Sequence, residues 1–559
     1  MKLIECVPNF SEGRNKDVID NITSEIVSVS DVKLLDVDPG KDTNRTVVTF
    51  VGPPDAVIDA AYLAIKKASE LIDMTKHQGE HPRMGATDVC PLIPIQNVSK
   101  EECISYSHKL AQRVSQKLNI PIYMYEESAS NKIRVNLANI RKGEYEGMKD
   151  KILLDDWLPD YGITFNEKSG VTAIGVREFL IAYNVNLNTS DKKLASDIAL
   201  DIREAGRAKR DKNGKIIRDN ENKIIKVPGS LKSVKGVGWY LEEHNIAQVS
   251  MNLVNYKETS LHETFEEVRK QAVKRGLRVT GSELVGLIPL NALLDAGKFY
   301  LKKQNKSTGV TDEQLIHIAV KSLGLDEMYD FINEEKIIEY MIDTDNKLVD
   351  LSISKFVDEV SMDSPAPGGG SVSAVAASMG ASLVSMVANL SHDKKEFSTN
   401  KKNINKIALC AQELKKDFIN LVDEDTKAFN NLMDSFRMPK KTENEIKERD
   451  LRILKSTKLV TEIPLATLEK CFEAIELVLN VIEIGNSNCI SDAAVAGEML
   501  YSGGYGAYYN VKINLLDLKD DTEYVNSIKH KIETIIASLD NEIKKIRLIA
   551  NKGLNDVWN

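Results

Sequence analysis

The sequence predicts a multidomain protein in which two ferredoxin-like α/β (α+β) subdomains are followed by an all-α helical bundle. Three observations support this fold class. The chain has 559 residues, which is too long for a single hydrophobic core. Before residue 350, short β-rich runs alternate with helical stretches. From about residue 353 onward, long helical patterns dominate.

The first half contains two successive sets of strands and helices. In the first set, amphipathic segments at 54–73 and 99–118 separate four β-rich runs: KLLDVD (33–38), TVVTFVG (46–52), PLIPI (91–95) and IPIYMYE (120–126). The second set has the order β-α-β-β-α-β, with elements at 179–187, 190–206, 236–243, 246–254, 259–275 and 277–287. That order is the split βαβ pattern of ferredoxin-like folds. We expect a ligand site in the cleft between the two subdomains.

The second half has the pattern of a helical bundle. Helical periodicity covers 353–360, 371–391, 401–435, 443–482, 489–502 and 522–553. Pro464 is expected to kink or break the helix in which it lies. The predicted domains are 1–178 and 179–326 for the two α/β subdomains, 327–352 for a linker and 353–559 for the helical domain.

Composition and charge limit the classes of function. The formal net charge of −9 argues against a general nucleic-acid binder. The six cysteines are widely spaced without a CxxC pair, so we expect reduced thiols rather than a disulfide framework. The sequence has neither a secretory segment nor a run of about 18 apolar residues, so no membrane partner is expected. The predicted location is the cytoplasm.

The segment 207–235 is strongly basic, with ten Lys or Arg against three Asp or Glu. One interpretation is a solvated, mobile insertion. The other is a positively charged surface that attracts the anionic tail of a substrate.

Residues 77–81 read His-Gln-Gly-Glu-His, which matches the H-x-x-E-H pattern of inverted zinc proteases. That chemistry needs both histidines one turn apart on a continuous helix. Gly79 lies between them, and Pro82 disfavours helical geometry at His81, so we expect no metal. A histidine in this polar loop can instead carry a proton during group transfer, because it titrates near neutral pH. A structural histidine is the alternative.

Ordered motifs across about 320 residues resemble the glutamate formimidoyltransferase family. They are LIECVPNFSEG (3–13), LLDVDPG (34–40), TNRTVVTFVG (43–52), HQGEHPRMGATDVCP (77–91), YGITFNEKSGVTAIGVREFL (161–180), GWYLEEHNIAQVSMNL (238–253) and VTGSELVGLIPLNAL (279–293). The resemblance implies transfer of a formimino group between the glutamate amine and N5 of tetrahydrofolate.

The resemblance also implies roles for individual residues. His81 falls on the family's catalytic proton donor, and Asp38 on an aspartate that we assign as its orienting partner. A turn residue before Pro39 is the alternative for Asp38. The folate-binding stretch of the family falls on 162–170, which makes Gly162, Phe165, Lys168, Ser169 and Gly170 candidates for folate contact.

Three arginines are candidates for the substrate carboxylates, because the guanidinium group forms bidentate pairs with carboxylates. They are Arg45, Arg83 and Arg177. The alternative for each is a surface or structural arginine.

The helical half contains a glycine-rich run and an acidic helix. Ser364–Ser371 reads SPAPGGGS and enters a helix, where backbone N–H groups can face a polar ligand, with Ser371 as a candidate contact; it lacks the Gly-Lys of a Walker A loop. As a local feature, helix packing is the alternative. In LVDEDTKAF (421–429), Asp423 and Asp425 are two residues apart and face different directions, so only one can face a given cleft.

Motifs of this half resemble the formimidoyltetrahydrofolate cyclodeaminase family, which is helical. They are SPAPGGGSVSA, MGASLVSMV, LVDEDTKAF, IEIGNSNCISDAAVAGEML and YGAYYNVKINL. Asp425, and not Asp423, matches the family's catalytic acid, and Met379 falls on a folate-contacting position. An acid that works near neutral pH needs a raised pKa.

Together, the two resemblances predict a bifunctional folate enzyme of histidine degradation. Formiminoglutamate and polyglutamylated tetrahydrofolate are the expected small-molecule substrates, with tetrahydrofolate as co-substrate and no metal. No nucleic-acid or membrane partner is expected, and the families imply a homo-oligomer. The alternative is that one half is active and the other is a folate-binding or oligomerisation module.

Overall fold

The structure, a computed structural model, describes residues 2–41, 43–79, 82–342 and 347–554. Contacts divide the chain into two compact units. The first comprises Met1–Leu293 and Leu323–Asp343, and the second comprises Leu294–Ser322 and Thr344–Asn559.

The first unit begins with a seven-stranded mixed sheet. Its elements are β1 (Leu3–Cys6), β2 (Asn9–Phe10), α1 (Lys16–Val27), β3 (Lys33–Gly40), β4 (Arg45–Gly52), α2 (Pro54–Leu71), β5 (Thr87–Gln96), α3 (Lys100–Leu118), β6 (Ile122–Glu126), α4 (Leu137–Arg141), α5 (Glu144–Lys151) and β7 (Thr172–Val176). Both β1 and β2 lie between β4 and β5 with antiparallel pairing, because Val7-Pro8 interrupts what is otherwise one strand. β3 extends the sheet beyond β4, and β7 and β6 extend it beyond β5 with parallel pairing.

The same unit contains a second sheet of four antiparallel strands. Its elements are β8 (Ile181–Leu187), α6 (Lys192–Ile202), β11 (Val234–Leu241), β12 (Ile246–Leu253), α7 (Leu261–Val273) and β13 (Val279–Val285). Across this sheet the strands follow the order β11-β12-β8-β13. Two short helices, α10 (Asn333–Lys336) and α11 (Ile338–Ile342), complete this unit.

The basic segment between α6 and β11 forms two consecutive turns of eight residues each. Outside them, β9 (Arg207–Ala208) pairs with β10 (Lys226–Val227). The turns have the sequences RDKNGKII (210–217) and RDNENKII (218–225). In each turn the single aspartate side chain accepts two backbone N–H groups: Asp211 from Asn213 and Lys215, and Asp219 from Glu221 and Lys223.

The second unit is helical. It contains most of α8 (Leu290–Lys303) and α9 (Asp312–Leu323), followed by α12 (Ile353–Val360), α13 (Gly369–His392), α14 (Lys401–Arg437), α15 (Glu443–Ile484), α16 (Ile490–Leu515) and α17 (Thr522–Leu554). α13 is long and apolar enough to cross a membrane on length and composition, but 61% of its most apolar window is buried in the unit. That burial is what a core helix also shows.

The coarse prediction of an α/β region followed by a helical region is confirmed. Two details differ from the sequence-based expectation. α8 and most of α9 belong to the helical unit, although they precede residue 326. α15 runs through Pro464 without ending there, so of the predicted kink or break, the break does not occur.

Candidate active sites

The first candidate site is one face of the first sheet. Side chains of a strand alternate between faces, and one face packs against the helices through Ile4, Cys6, Val48, Phe50, Cys90, Leu92 and Val176. The opposite face therefore carries the intervening residues. It brings together three predicted site residues, Asp38 of β3, Arg45 of β4 and Arg177 directly after β7, together with Glu5 of β1.

Asp38 and Arg45 lie on neighbouring strands. Asp38 is opposite Val47, and Arg45 is opposite Gly40. Burial and the charge of Arg141 lower the pKa of Arg45, whereas Asp88 and Asp38 act in the other direction. Asp38 is exposed, and it contributes with burial to a raised pKa of Asp36. The charge of Asp38 therefore acts on both Arg45 and Asp36.

His81 lies outside the described residues, so the predicted proton donor is not placed. The neighbouring His77 is placed: its Nε2 lies 3.0 Å from the Asn44 carbonyl oxygen, and Arg83 Nε donates to its Nδ1 at 3.2 Å. This arrangement needs the neutral tautomer with the proton on Nε2. Burial is the main cause of the lowered pKa of His77, and the charge of Arg83 adds to it. Because both ring nitrogens have protein partners and His77–Gly79 is not helical, His77 is not arranged as a zinc ligand.

Arg83 is buried, and protein groups engage its guanidinium. It forms a bidentate pair with Glu146 at 2.9 and 2.6 Å and a further bond to Glu144 at 2.9 Å. Its other bonds go to Nδ1 and the carbonyl oxygen of His77. Arg83 therefore joins the histidine loop to α5. To bind a substrate carboxylate it would have to release these partners, so that role stays a prediction.

The segment predicted to bind folate is fixed to the histidine loop at its C-terminal end. Gly170 has φ of +68°, and a Cβ there would lie 2.2 Å from the Met84 carbonyl oxygen, so only glycine fits. The N–H of Ala86 donates to the carbonyl oxygen of the buried Ser169 at 2.8 Å. This contact places Ser169 and Gly170 beside residues 84–86.

The other predicted folate contacts lie in the preceding turn. Gly162 has φ of +74°, and the Phe165 ring packs beside Tyr145 with 5.8 Å between centroids. Lys168 is exposed, and its Nζ donates to the Glu70 carbonyl oxygen at 2.5 Å. Nothing in these contacts assigns a folate position, and the roles of these residues stay predictions.

Sequence reasoning missed two charged residues of this region. Glu5 is 2% exposed, its Oε2 has no hydrogen-bond partner among the described residues, and burial raises its pKa to about 7 against the charge of Arg177. Arg141, the last residue of α4, forms an ion pair with the fully buried Asp88. A glutamate inside the apolar run LIEC was an available signal for Glu5. No sequence signal existed for Arg141, because its neighbours come from distant segments.

The second candidate site lies where the N-terminus of α13 meets α14. Gly370 packs so closely against Asp425 that a Cβ would lie 2.1 Å from Asp425 Oδ1. The Ser371 hydroxyl oxygen lies 3.0 Å from Asp425 Oδ2, 3.0 Å from the Val422 carbonyl oxygen and 3.2 Å from Thr426 Oγ1. The glycine-rich run therefore brings a helix N-terminus onto the carboxyl group of Asp425.

This arrangement can accommodate both protonation states of Asp425. Burial raises the pKa of Asp425, and hydrogen bonds from the backbone and hydroxyl of Ser371 oppose the rise. A hydroxyl has one proton to donate. When Asp425 is ionised, Ser371 can donate to it; when Asp425 is protonated, it can donate to Ser371 while Ser371 donates to Val422.

Asp423 has a different role, since its Oδ1 accepts the backbone N–H of Leu348 at 2.8 Å. Met379 is 44% exposed on α13. Two further polar residues of this site were missed, Thr426 beside Ser371 and Asn510 of α16, whose side chain would lie 3.0 Å from a Cβ on Gly369. Asn510 could not be found from helical spacing, because it reaches the site from a separate helix.

Three family models match successive parts of the chain. The formiminotransferase domain, N-terminal subdomain, matches residues 3–177, and the formiminotransferase domain matches residues 182–343. The formiminotransferase-cyclodeaminase model matches residues 352–534.

Known relatives match the whole chain or one part of it. The formimidoyltransferase-cyclodeaminase of Mus musculus is 42% identical over 539 residues, which is 96% of each chain. The glutamate formimidoyltransferase of Streptococcus pyogenes serotype M1 is 44% identical over 305 residues, 54% of this chain and 95% of that one. The methenyltetrahydrofolate cyclohydrolase of Methylorubrum extorquens is 34% identical over 186 residues, 33% of this chain and 89% of that one.

The fold and these relationships define an enzyme with an α/β unit and a helical unit in one chain. It belongs to the formimidoyltransferase-cyclodeaminase family.

Proposed function

We propose that this chain is a bifunctional folate enzyme of histidine degradation. Its first unit transfers the formimino group between N-formimino-L-glutamate and N5 of tetrahydrofolate. Its second unit cyclises 5-formiminotetrahydrofolate to 5,10-methenyltetrahydrofolate and releases ammonia. The observation that carries this proposal is similarity to a bifunctional relative over 96% of both chains, which spans both units.

In the first reaction, N5 of tetrahydrofolate attacks the formimino carbon and gives a tetrahedral intermediate. The glutamate nitrogen must then be protonated to leave, and we assign this proton to His81. Asp38 is the proposed orienting partner. Arg45 and Arg177 are proposed to bind substrate carboxylates, which is supported by their position with Asp38 on one charged sheet face. Residues 162–170 are proposed to contact the folate.

In the second reaction, N10 of the folate attacks the formimino carbon within the same molecule. The C–N bond to the departing nitrogen breaks, and Asp425 supplies a proton to the leaving ammonia. The raised pKa of Asp425 supports this role, because a carboxyl group must keep its proton near neutral pH to act as an acid. Ser371 and Met379 are proposed pocket residues.

Tetrahydrofolate is the proposed co-substrate of the first step, and its folate product passes to the second. We propose no metal for either step, since both reactions proceed by proton transfer and nitrogen attack. No nucleic acid or membrane is a proposed partner, and the proposed location is the cytoplasm. The tail of a polyglutamylated folate is proposed to contact the basic segment 207–235.

We propose that the chain forms a homo-oligomer. Beyond the proposed pocket residue Met379, α13 exposes a stripe of apolar residues on one face: Val372, Met386 and Leu390. Such a stripe on one helix suits packing against the same helix of a second copy.

We also propose that the second sheet has the ferredoxin-like fold. Its element order β-α-β-β-α-β and its strand order β11-β12-β8-β13 support this assignment.

A coupled assay tests the proposed function. Purified protein receives formiminoglutamate and tetrahydrofolate, and ammonia and methenyl-folate absorbance are followed together. We expect both products in equal amounts. Appearance of neither product would refute the proposal, and appearance of 5-formiminotetrahydrofolate without ammonia would leave only the transferase.

A further inference from the structure

The buried arginines of the first sheet region differ in how their donors are used. Arg83 makes five described hydrogen bonds, and Arg134 bonds to Asp160 and to the carbonyl oxygens of Asp156 and Leu158. Arg141 has a side chain only 17% exposed but a single hydrogen-bond partner among the described residues, Asp88. A guanidinium has five N–H donors, and buried donors are normally satisfied. Arg141 is therefore able to accept an anion.

Asp88 fixes Arg141 in place. It is fully buried, and its Oδ1 accepts the backbone N–H of Met84 at 2.9 Å, while its Oδ2 pairs with Arg141. Leu137 of α4 packs in the same cluster as Val89 and Tyr125. α4 therefore lies over the sheet face that carries Asp38, Arg45 and Arg177. The buried carboxylate of Asp88 holds Arg141 at that face.

Arg45 reaches the same region from β4. Asn9 pairs with Val47 on one side and Val89 on the other, so β4 and β5 are separated by one strand at this level. Arg45 precedes Val47 by two residues and points to the same face. The charge of Arg141 contributes to the lowered pKa of Arg45, which means that the two guanidinium groups repel one another. A bound anion relieves such repulsion.

We propose that Arg141 and Arg45 together bind a carboxylate group of the dicarboxylic amino-acid substrate, with Asp88 as the positioning residue for Arg141. The proposal rests on the transferase function proposed for the first unit. Arg141 is proposed for this role in place of Arg83, because the donors of Arg83 already bind Glu144 and Glu146. The bidentate geometry of a guanidinium makes this site selective for a planar carboxylate.

Kinetics of Arg141→Lys test the proposal, because lysine keeps a charge for Asp88 but loses the bidentate fork. We expect the KM for formiminoglutamate to rise about 10- to 100-fold, the range for losing hydrogen bonds to a charged group. The kcat and the KM for tetrahydrofolate should change much less. The matched control is Arg134→Lys, which alters another buried Arg–Asp pair of the same unit and should leave the KM for formiminoglutamate unchanged. An unchanged KM in Arg141→Lys, or an equal rise in both variants, would overturn the proposal.

Binding of L-glutamate separates this inference from the proposed reaction, since it needs no turnover. L-glutamate should raise the Tm of the wild type and of Arg134→Lys but not that of Arg141→Lys. Equal Tm shifts in all three proteins would overturn the inference even if the wild type is active. A wild type that binds L-glutamate through Arg141 but transfers no formimino group would refute the proposed function and leave the carboxylate site standing.

Discussion

Asp425 is subject to two opposing influences at the residue scale. Burial favours its neutral form, and the Ser371 hydrogen bonds favour its ionised form. An acid that is used repeatedly must lose and regain its proton, so a site that tolerates both states is suited to the proposed deamination. The contact that creates this balance depends on a glycine at position 370.

Replacing Gly370 by Ala should displace the Asp425 carboxyl group, because the new Cβ would lie 2.1 Å from Oδ1. We expect ammonia release from 5-formiminotetrahydrofolate to fall about 100-fold, the scale of a misplaced catalytic group. The matched control is Gly368→Ala, where the nearest heavy atom would be at 3.5 Å, and activity should be retained. Full deaminase activity in Gly370→Ala would show that the close approach does not position the acid.

The burial of Glu5 should make the free energy of unfolding depend on pH. Its folded-state pKa of about 7 lies above the unfolded value, so the neutral form stabilises the fold at low pH and this contribution is lost as pH rises from about 4.3 to 7. Glu5→Gln should therefore be more stable than the wild type at pH 8, by on the order of 3 kcal/mol, and equally stable at pH 4. Denaturant unfolding at the two pH values measures the difference.

The control is the exposed Glu101 of α3, whose change to Gln should produce no pH-dependent difference. If Glu5→Gln and the wild type differ equally at both pH values, burial of an ionisable Glu5 is not the cause.

Candidate residues could be named where a short motif carries them, as for Asp425 and Ser371. Their contact was not predicted, and the structure brings the two separate motifs together. Arg141 was not predictable, because its neighbours come from segments that are distant in sequence. Glu5 did have a sequence signal, its position inside the apolar run LIEC.

At the scale of the element, α15 shows how a helix accommodates an internal proline. Pro464 has no N–H for the carbonyl oxygen of Val460, four residues earlier. That oxygen accepts Nδ2 of Asn514, on α16, at 2.6 Å. A side chain from a neighbouring helix thus replaces the missing backbone donor, which is why the predicted break does not occur.

A double-mutant cycle tests this replacement. Asn514→Ala should destabilise the helical unit by about 1–3 kcal/mol, because it leaves a buried carbonyl oxygen without a donor. In a Pro464→Ala background the restored backbone N–H can bond to Val460, so the same change should cost much less. Denaturant unfolding of the four proteins gives the coupling free energy. Equal costs in both backgrounds would contradict the account.

The basic segment is an element whose conformation was not predictable, although its charge was. The two eight-residue turns share the same aspartate-to-backbone bonds, and Lys212 and Lys215 of the first turn are exposed, as is Lys209 just before it. The repeat is short and polar, so hydrophobic periodicity gave no sign of it.

Changing Lys209, Lys212 and Lys215 to Gln should weaken the binding of an anionic folate tail to this segment. We expect more free 5-formiminotetrahydrofolate during turnover with long-tailed folates, and no change with monoglutamyl folate. Chromatography of the reaction mixture measures the free intermediate. The control changes Lys529, Lys544 and Lys552, exposed lysines of α17. Unchanged release in the first variant would end the tail-binding hypothesis.

For the whole molecule, the sequence predicted the change from α/β to helical architecture because hydrophobic periodicity changes with it. The assignment of α8 and most of α9 to the helical unit was not predictable. Hydrophobic periodicity indicates a helix but does not indicate which hydrophobic core the helix packs against. The family relationship covers both units, so the chain joins two chemistries whose products and substrates match.

The most direct test of two independent active sites uses His81→Ala and Asp425→Asn in the full chain. Asp425→Asn should convert formiminoglutamate and tetrahydrofolate to 5-formiminotetrahydrofolate without releasing ammonia. His81→Ala should release ammonia from supplied 5-formiminotetrahydrofolate but should not form that compound. Loss of both activities in a correctly folded single variant, or of neither in both variants, would contradict the account.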